Sequence, residues 1–245
     1  MSQIRRSRKP RLKQRNSTPD DFSELIKLSK VCFPEHKPWK MEMLVSQYAL
    51  FPEGMQLIEY DGEIVGSATS LIVNMEDYTD NHTWAEVSDN GYITNHDPEG
   101  NTLYGIEVMV HPEYQGLKIG RRLYEMRRQL CEDLNLKEIL IGGRIPNFHK
   151  YEEEFGARAY LKRVLDKKIK DPVINFQLSQ GFQIRKIIKD YLPTDWESGG
   201  YGVLMEWNNI DYVPETPERS VLMKNIRICC IQYELRKIES FDDFA

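Results

Sequence analysis

The stretch VMVHPEYQGLKIGRRLY, Val108 to Tyr124, decides the fold. An apolar, β-branched run ends at Val110 and passes through Pro112 into a loop carrying Gly116 and Gly120. That loop opens a basic amphipathic helix. Strand, glycine loop and helix start, in that order, aim bare backbone N–H groups at a phosphate. The glycines permit a tight turn and a close main-chain approach, and a helix N-terminus carries partial positive charge. The pattern predicts a phosphate-bearing cofactor.

Reading outward, Ile119, Leu123, Met126, Leu130 and Leu134 make one apolar stripe at helical spacing, with Asn135 as the stop. Leu103 to Val110 and Glu138 to Ile141 read as strands, the second closed by Gly142 and Gly143. Nearer the N-terminus, Arg11 to Asn16 reads as a strand. Thr18-Pro19-Asp20-Asp21 starts a helix whose apolar face is Phe22, Leu25, Ile26 and Leu28, and Cys32-Phe33-Pro34 ends it. A second helix is expected from near Trp39 to Leu50. Met55 to Tyr60 and Glu63 to Val73 flank Asp61-Gly62, a hairpin signal. Further on come a helix over Pro172 to Ser179, a strand from Gly181-Phe182 to about Ile188, and a strand over Tyr201 to Trp207. This alternation predicts an α/β layer architecture.

Two stretches interrupt the rhythm. Asn74 to Thr102 carries Glu76, Asp77, Asp80, Glu86, Asp89, Asp97 and Glu99 without a Lys or Arg, and reads as a long insertion with little regular structure. Arg144 to Lys170 reads as a second irregular stretch. The expected organisation is a basic arm over residues 1–10, one domain over 11–212, a linker over 213–225 and a new apolar strand and helix start over 226–245.

The 245 residues, 40% hydrophobic and 11% aromatic, suit a globular domain with a sizeable core. No apolar run reaches the roughly 18 residues that span a bilayer, and no apolar signal segment follows the basic N-terminus. Membrane partners are therefore not expected, and a reducing cytoplasm is the simplest compartment. Cys32, Cys131, Cys229 and Cys230 fit neither a zinc site nor a disulfide framework. His82, His96 and His111 lack metal-ligand spacing, so no metal is expected. The net charge of −5 is uneven, and the basic arm lacks the aromatic interleaving of single-strand binders. It reads as a solvated lead-in, with nucleic acid an unfavoured partner.

These motifs, in this order, resemble the GNAT superfamily of acyl-CoA-dependent N-acyltransferases over Arg11 to Trp207. The family's loop, (Arg/Gln)-x-x-Gly-x-(Gly/Ala), is matched by Gln115-Gly116-Leu117-Lys118-Ile119-Gly120, with Lys118 in place of the central glycine. The resemblance implies a mixed, mostly antiparallel central sheet flanked by helices, here with two long insertions. It implies acetyl-CoA as co-substrate. The backbone of Val108, Met109 and Val110 would pair with the pantetheine arm, and the N–H groups of Gln115, Gly116, Leu117, Lys118, Ile119, Gly120 and Arg121 would hold the pyrophosphate. Asn147 corresponds to the Asn that follows the family's fifth strand and is a further cofactor-binding candidate. The run from Ile226 onward resembles the opening of a carbon–nitrogen hydrolase (nitrilase-like) domain, and GNAT domains joined to such hydrolases exist. The chain stops before that family's catalytic residues, so hydrolase chemistry is not expected in it, and a downstream hydrolase domain is the implied partner.

Acetyl transfer needs a base for the amine, polarisation of the thioester carbonyl and a fate for the leaving thiolate. Glu107, on the cofactor strand, is the candidate base, acting directly or through a water. The Met109 N–H is a candidate oxyanion donor. Many relatives carry a Tyr acid four residues before Gly-Phe; here Gln177 stands before Gly181-Phe182 and cannot act as an acid. Tyr151 is the candidate substitute, with His149 beside it. The acceptor is expected to be a small-molecule or protein amine, and the acidic insertion would favour a cationic one. A non-catalytic acyl-CoA-binding module regulating a hydrolase is the alternative.

Overall fold

The computed structural model describes residues 12–214. Arg11, the arm over residues 1–10, most of the linker, and Cys229 and Cys230 on the expected strand lie outside the described residues. All described residues up to Tyr212 belong to one compact unit.

A seven-stranded sheet organises that unit: β1 (Leu12–Asn16), β2 (Met55–Tyr60), β3 (Glu63–Val73), β4 (Thr102–Val110), β5 (Glu138–Gly143), β6 (Gln183–Ile188) and β7 (Gly202–Asn208), in the order β1-β2-β3-β4-β5-β7-β6. All neighbouring pairs are antiparallel except β4 with β5. The β2–β3 hairpin closes as its sequence demands, since Asp61 (φ 53°) and Gly62 (φ 96°) both take the positive φ of a type I′ turn.

Helices cover both faces. Thr18 and Asp21 form a capping box on a short 3-10 turn at Pro19–Asp21, which leads into α1 (Phe22–Cys32). Then comes α2 (Met41–Leu50). Phe22, Leu25, Leu44 and Met55 pack together and seat α1 and α2 over the middle of the sheet. The Asn74 to Thr102 insertion is better ordered than its sequence suggests. Thr83 and Glu86 cap the short helix α3 (Trp84–Ser88) reciprocally. His82, Val87, Ser88 and Ile93 are buried. The insertion docks through Gln47 Nε2 to Gly91 O (2.7 Å) and His96 Nδ1, which accepts from the Ile72 N–H (3.1 Å). Its charges face solvent while its few apolar residues plug the core, and a charge count along the chain reports only the first.

The opposite face is covered by α4 (Ile119–Asp133) and α6 (Pro172–Ser179), and α5 (Ala157–Leu165) lies between them in the chain. The second irregular stretch therefore contains a helix, α5, with Ala157, Tyr160, Leu161 and Val164 inward at helical spacing. The stripe on α4 is also rotated from the expected one. Ile119, Leu123, Tyr124, Arg127 and Cys131 are buried, Met126 and Leu130 are half-buried, and Leu134 is exposed. Asn135 takes the left-handed conformation just beyond the helix end, as a C-terminal stop should.

Candidate active site

Strand β4 positions the site. Thr102 to Gly105 pair with Glu138 to Ile141 of β5, and there the pairing stops. Ile106 to Val110 run on without β5, and Gly142 and Gly143 pair only with β7. Two strand edges thus splay around one gap. On its other side β4 stays paired with β3, but a bulge places Thr69 opposite Glu107 and Ser70 opposite Gly105, leaving Ile106 without a counterpart.

The ladder also fixes where each N–H points. The His111 N–H donates to Val65 O at 2.9 Å. Alternation in an antiparallel pair then directs the Met109 N–H at Ser67 of β3, and the N–H groups of Val108 and Val110 at the gap. Met109 is therefore not the oxyanion donor. Its N–H is already committed to the sheet, and Val108 presents the available one on the gap side. The Val110 N–H reaches the Cys32 sulfur at the end of α1.

Glu107 and Met109 face α1 and α2, on a cavity also lined by Ser17, Trp39, Ser67 and Thr69. Ser67 Oγ (3.3 Å) and Thr69 Oγ1 (3.3 Å) donate to the Glu107 carboxylate, and the Trp39 indole joins them. Burial pushes the carboxyl up to about 8, against the opposing pull of the Arg127 charge and these hydrogen bonds. The acidic insertion holds Trp39 in place. The Trp84 ring lies 6.3 Å from it, and a Cβ on Gly91 would come within 2.6 Å of its ring. Trp84 itself is fixed by its Nε1–H, which donates to Ile106 O at 2.9 Å. Ser17 Oγ, on the same cavity, is buried without a hydrogen-bond partner among the described residues.

The loop before α4 has the geometry of an anion cradle. Gly116 (φ 87°) and Lys118 (φ 61°) both lie in the left-handed region, so a glycine would suit the Lys118 position without strain. The first helical bond runs from the Arg122 N–H to Lys118 O (3.1 Å), leaving the N–H groups of Ile119, Gly120 and Arg121 without an acceptor inside the helix. Gln115, Gly116, Leu117 and Lys118 are exposed, whereas the Ile119 side chain is buried beneath the loop. The Arg121 guanidinium pairs with Glu125 at 2.8 Å along the helix.

Other candidates fall elsewhere. Tyr151 packs against Phe155 and Tyr160, with ring centroids 5.6 and 5.8 Å away, and does not line the Glu107 cavity. Its ring contacts are those of a packing residue within the second insertion. Asn147 Nδ2 donates to Lys170 O (3.0 Å), and its Oδ1 accepts from Lys150 (2.8 Å), so its amide ties the second insertion to the start of α6. Gln177 takes a place beside the gap. Its Nε2 donates to the Tyr124 hydroxyl at 3.2 Å, while its buried Oε1 has no partner among the described residues and abuts Gly143. Trp39, Cys32, Tyr124 and Arg127 were not singled out from the sequence. Only Arg127 carries a local signal, its place between Leu123 and Cys131 on the apolar arc of α4; the other three are defined by contact with a distant element.

A splayed β4/β5 gap beside an N–H cradle, with a carboxyl of raised pKa on the same strand, defines an acyl-CoA-type transferase fold. The acetyltransferase (GNAT) family model matches residues 22–156, and the chain belongs to that family. It is 52% identical over 232 residues to the Probable hydrolase YhcX of Bacillus subtilis (strain 168), covering 94% of this chain but 45% of that protein. The chain thus spans less than half of that relative's length. It is 42% identical over 202 residues to the Uncharacterized N-acetyltransferase YkwB of the same organism, covering 81% of this chain and 89% of that protein. In fold it is similar to the loading GNATL domain of CurA from Lyngbya majuscula, with a TM-score of 0.72 at 24% identity over 81% of this chain and 98% of that one. Among the described residues no helix is long and apolar enough to cross a membrane.

Proposed function

We propose that the chain is an acetyl-CoA-dependent N-acetyltransferase that passes the acetyl group directly to an amine in a ternary complex. The observation that carries this reading is Glu107: a carboxyl on the cofactor strand whose ordinary pKa is lifted to about 8. A base near the working pH removes the amine proton most efficiently. Acetyl-CoA would lie in the β4/β5 gap, with its pyrophosphate on the N–H groups around Gly116 to Arg121 and its pantetheine along Val108 and Val110. The amine would approach from the α1/α2 side, lose its proton towards Glu107 and attack the thioester carbon. Holding both reactants supplies much of the rate by orientation alone. No side chain supplies an acid: the CoA sulfur leaves as the thiolate, whose thiol pKa of about 8.5 makes it a tolerable leaving group, and takes its proton from water. The exposed acids Glu76, Asp77, Asp80, Glu86 and Glu99 favour a cationic acceptor.

The test is thiol release from acetyl-CoA across a panel of polyamines, small amines and lysine peptides. Acceptor-dependent release is expected. Tight acetyl-CoA binding with no release on any amine would instead support a second reading, an acyl-CoA-binding module serving an adjoining hydrolase. The absence of a Tyr at Gln177 is the observation that keeps that second reading in play.

The cofactor position has its own test. Burial, with the Glu107 charge behind it, raises the Cys32 thiol to about 11, and the Val110 N–H pulls the other way. Alkylation of Cys32 is therefore slow but measurable at alkaline pH. Acetyl-CoA at about ten times its Kd is expected to slow it about tenfold, read by peptide mass spectrometry. An unchanged rate would place the cofactor elsewhere.

A further inference from the structure

Arg127 on α4 is 1% exposed and heads the largest fully buried side chains of the described residues. Its Nε donates to Ser70 Oγ at 2.9 Å, and one terminal nitrogen donates to both Thr69 O (3.1 Å) and Glu107 O (2.8 Å). All three acceptors are neutral. Among the described residues Arg127 enters no ion pair. A buried guanidinium without a carboxylate is costly, and an apolar side chain would be the cheaper way to fill the space.

Its neighbours are shaped to accept it. A Cβ on Gly105 would lie 2.7 Å from the guanidinium carbon, so that position has no room for a side chain. The Tyr124 ring faces the guanidinium at 5.6 Å. The two carbonyls it bridges belong to Thr69 and Glu107, partners at the bulge where Ile106 drops out of register. The bulge is thus tied from the α4 face, while the Glu107 carboxylate lies on the α1/α2 face. The ionisable groups acting on that carboxylate are Arg127 from α4 and Cys32 from α1. β3 adds the Ser67 and Thr69 hydroxyls, and the segment before α2 adds the Trp39 indole. The remaining cavity residues, Ser17, Leu25, Leu44, Met55, Gln56 and Met109, do not titrate.

We propose that Arg127 is the positioning residue of this site. Its guanidinium locks the Thr69/Glu107 bulge from the face opposite the cavity, fixes the direction in which Glu107 leaves β4, and holds a positive charge behind its carboxylate. The proposal rests on Glu107 being the base.

Arg127→Met and Arg127→Lys are compared by two readouts: the pH profile of kcat/KM, and a ¹³C-NMR titration of the Glu107 carboxyl, assigned with Glu107→Gln. In Arg127→Met the Glu107 midpoint is expected to rise by about one unit, because the ionised form loses its supporting charge, and the acid limb moves with it. Arg127→Lys keeps the charge but cannot span three acceptors; its midpoint stays near that of the parent while kcat falls about tenfold. If Arg127→Met does not fold, Arg127→Lys and Ser70→Ala carry the test, with Ser70→Ala losing kcat in the same direction. Folded variants with an unmoved midpoint and unchanged kcat would overturn the clamp. A midpoint that moves while the acid limb does not would remove Glu107 as base and leave the clamp standing.

Discussion

Glu107→Gln lowers kcat/KM for amine acetylation by about 10²-fold or more, the usual contribution of a positioned base, while the Kd for acetyl-CoA stays within about twofold. The amide nearly matches the carboxyl in size and can keep hydrogen bonds with Ser67, Thr69 and Trp39, but it cannot take a proton. The parent profile carries the complementary signature. With the carboxyl at about 8, the ionised base is scarce at pH 6 and abundant at pH 9, so kcat/KM rises with pH through that value. The inflection near that value vanishes in Glu107→Gln, leaving only the rise that comes from deprotonation of the amine itself. Steady-state kinetics over pH 6 to 9.5, with calorimetric acetyl-CoA binding, checks both. Near-parental turnover in the variant would take Glu107 out of the mechanism.

The largest expected loss of stability comes from the wall of the second insertion. Arg144, just after β5, donates to Asp195 at 2.7 Å through Nε and at 2.5 Å through one terminal nitrogen, and to Glu197 at 2.8 Å. The Asp195 side chain is 1% exposed and the Arg144 side chain 21%. The bridge joins the loop after β5 to the loop between β6 and β7, where Ser198 Oγ also accepts from the Ile145 N–H (3.0 Å). Asp195→Ala leaves a largely buried guanidinium without its forked partner, and is expected to cost about 3 kcal/mol. Chemical denaturation at pH 7 measures it. A loss below about 1 kcal/mol would class the bridge with ordinary surface pairs. The pH dependence has a definite sign. Hydrogen bonds and the Arg144 charge outweigh burial and hold the Asp195 carboxyl below its ordinary value. Its contribution is therefore full near neutrality and disappears as pH falls through that lowered value, into the acid range.

Where sequence and structure agree, the information was local. Asp61-Gly62 could close only a tight hairpin, and Thr18-Pro19-Asp20-Asp21 could only open a helix. Asp171 accepts from the Val173 and Ile174 N–H groups and so caps α6 next to Pro172, starting the helix where its sequence places it. Where they part, the missing information was a contact. The spacing of Ala157, Tyr160, Leu161 and Val164 was helical, but charged neighbours hid it until the core claimed one face. On a helix wheel Arg127 falls between Leu123 and Cys131, inside the apolar arc of α4, but its charge argues for solvent. Only the bulge carbonyls of Thr69 and Glu107 and the empty space at Gly105 turn it inward.

The sequence by itself determined the seven strands and helices α1, α2, α4 and α6, and it singled out the loop from Gln115 to Gly120 and Glu107 as candidates, because backbone conformation and periodicity are properties of neighbouring residues. The tertiary structure alone decided which N–H groups of β4 face the gap, that Trp39 and Cys32 meet Glu107, that Tyr151 does not, and that a buried arginine stands behind the candidate base. Those depend on strand register and burial, which arise only when segments far apart in the chain share one core.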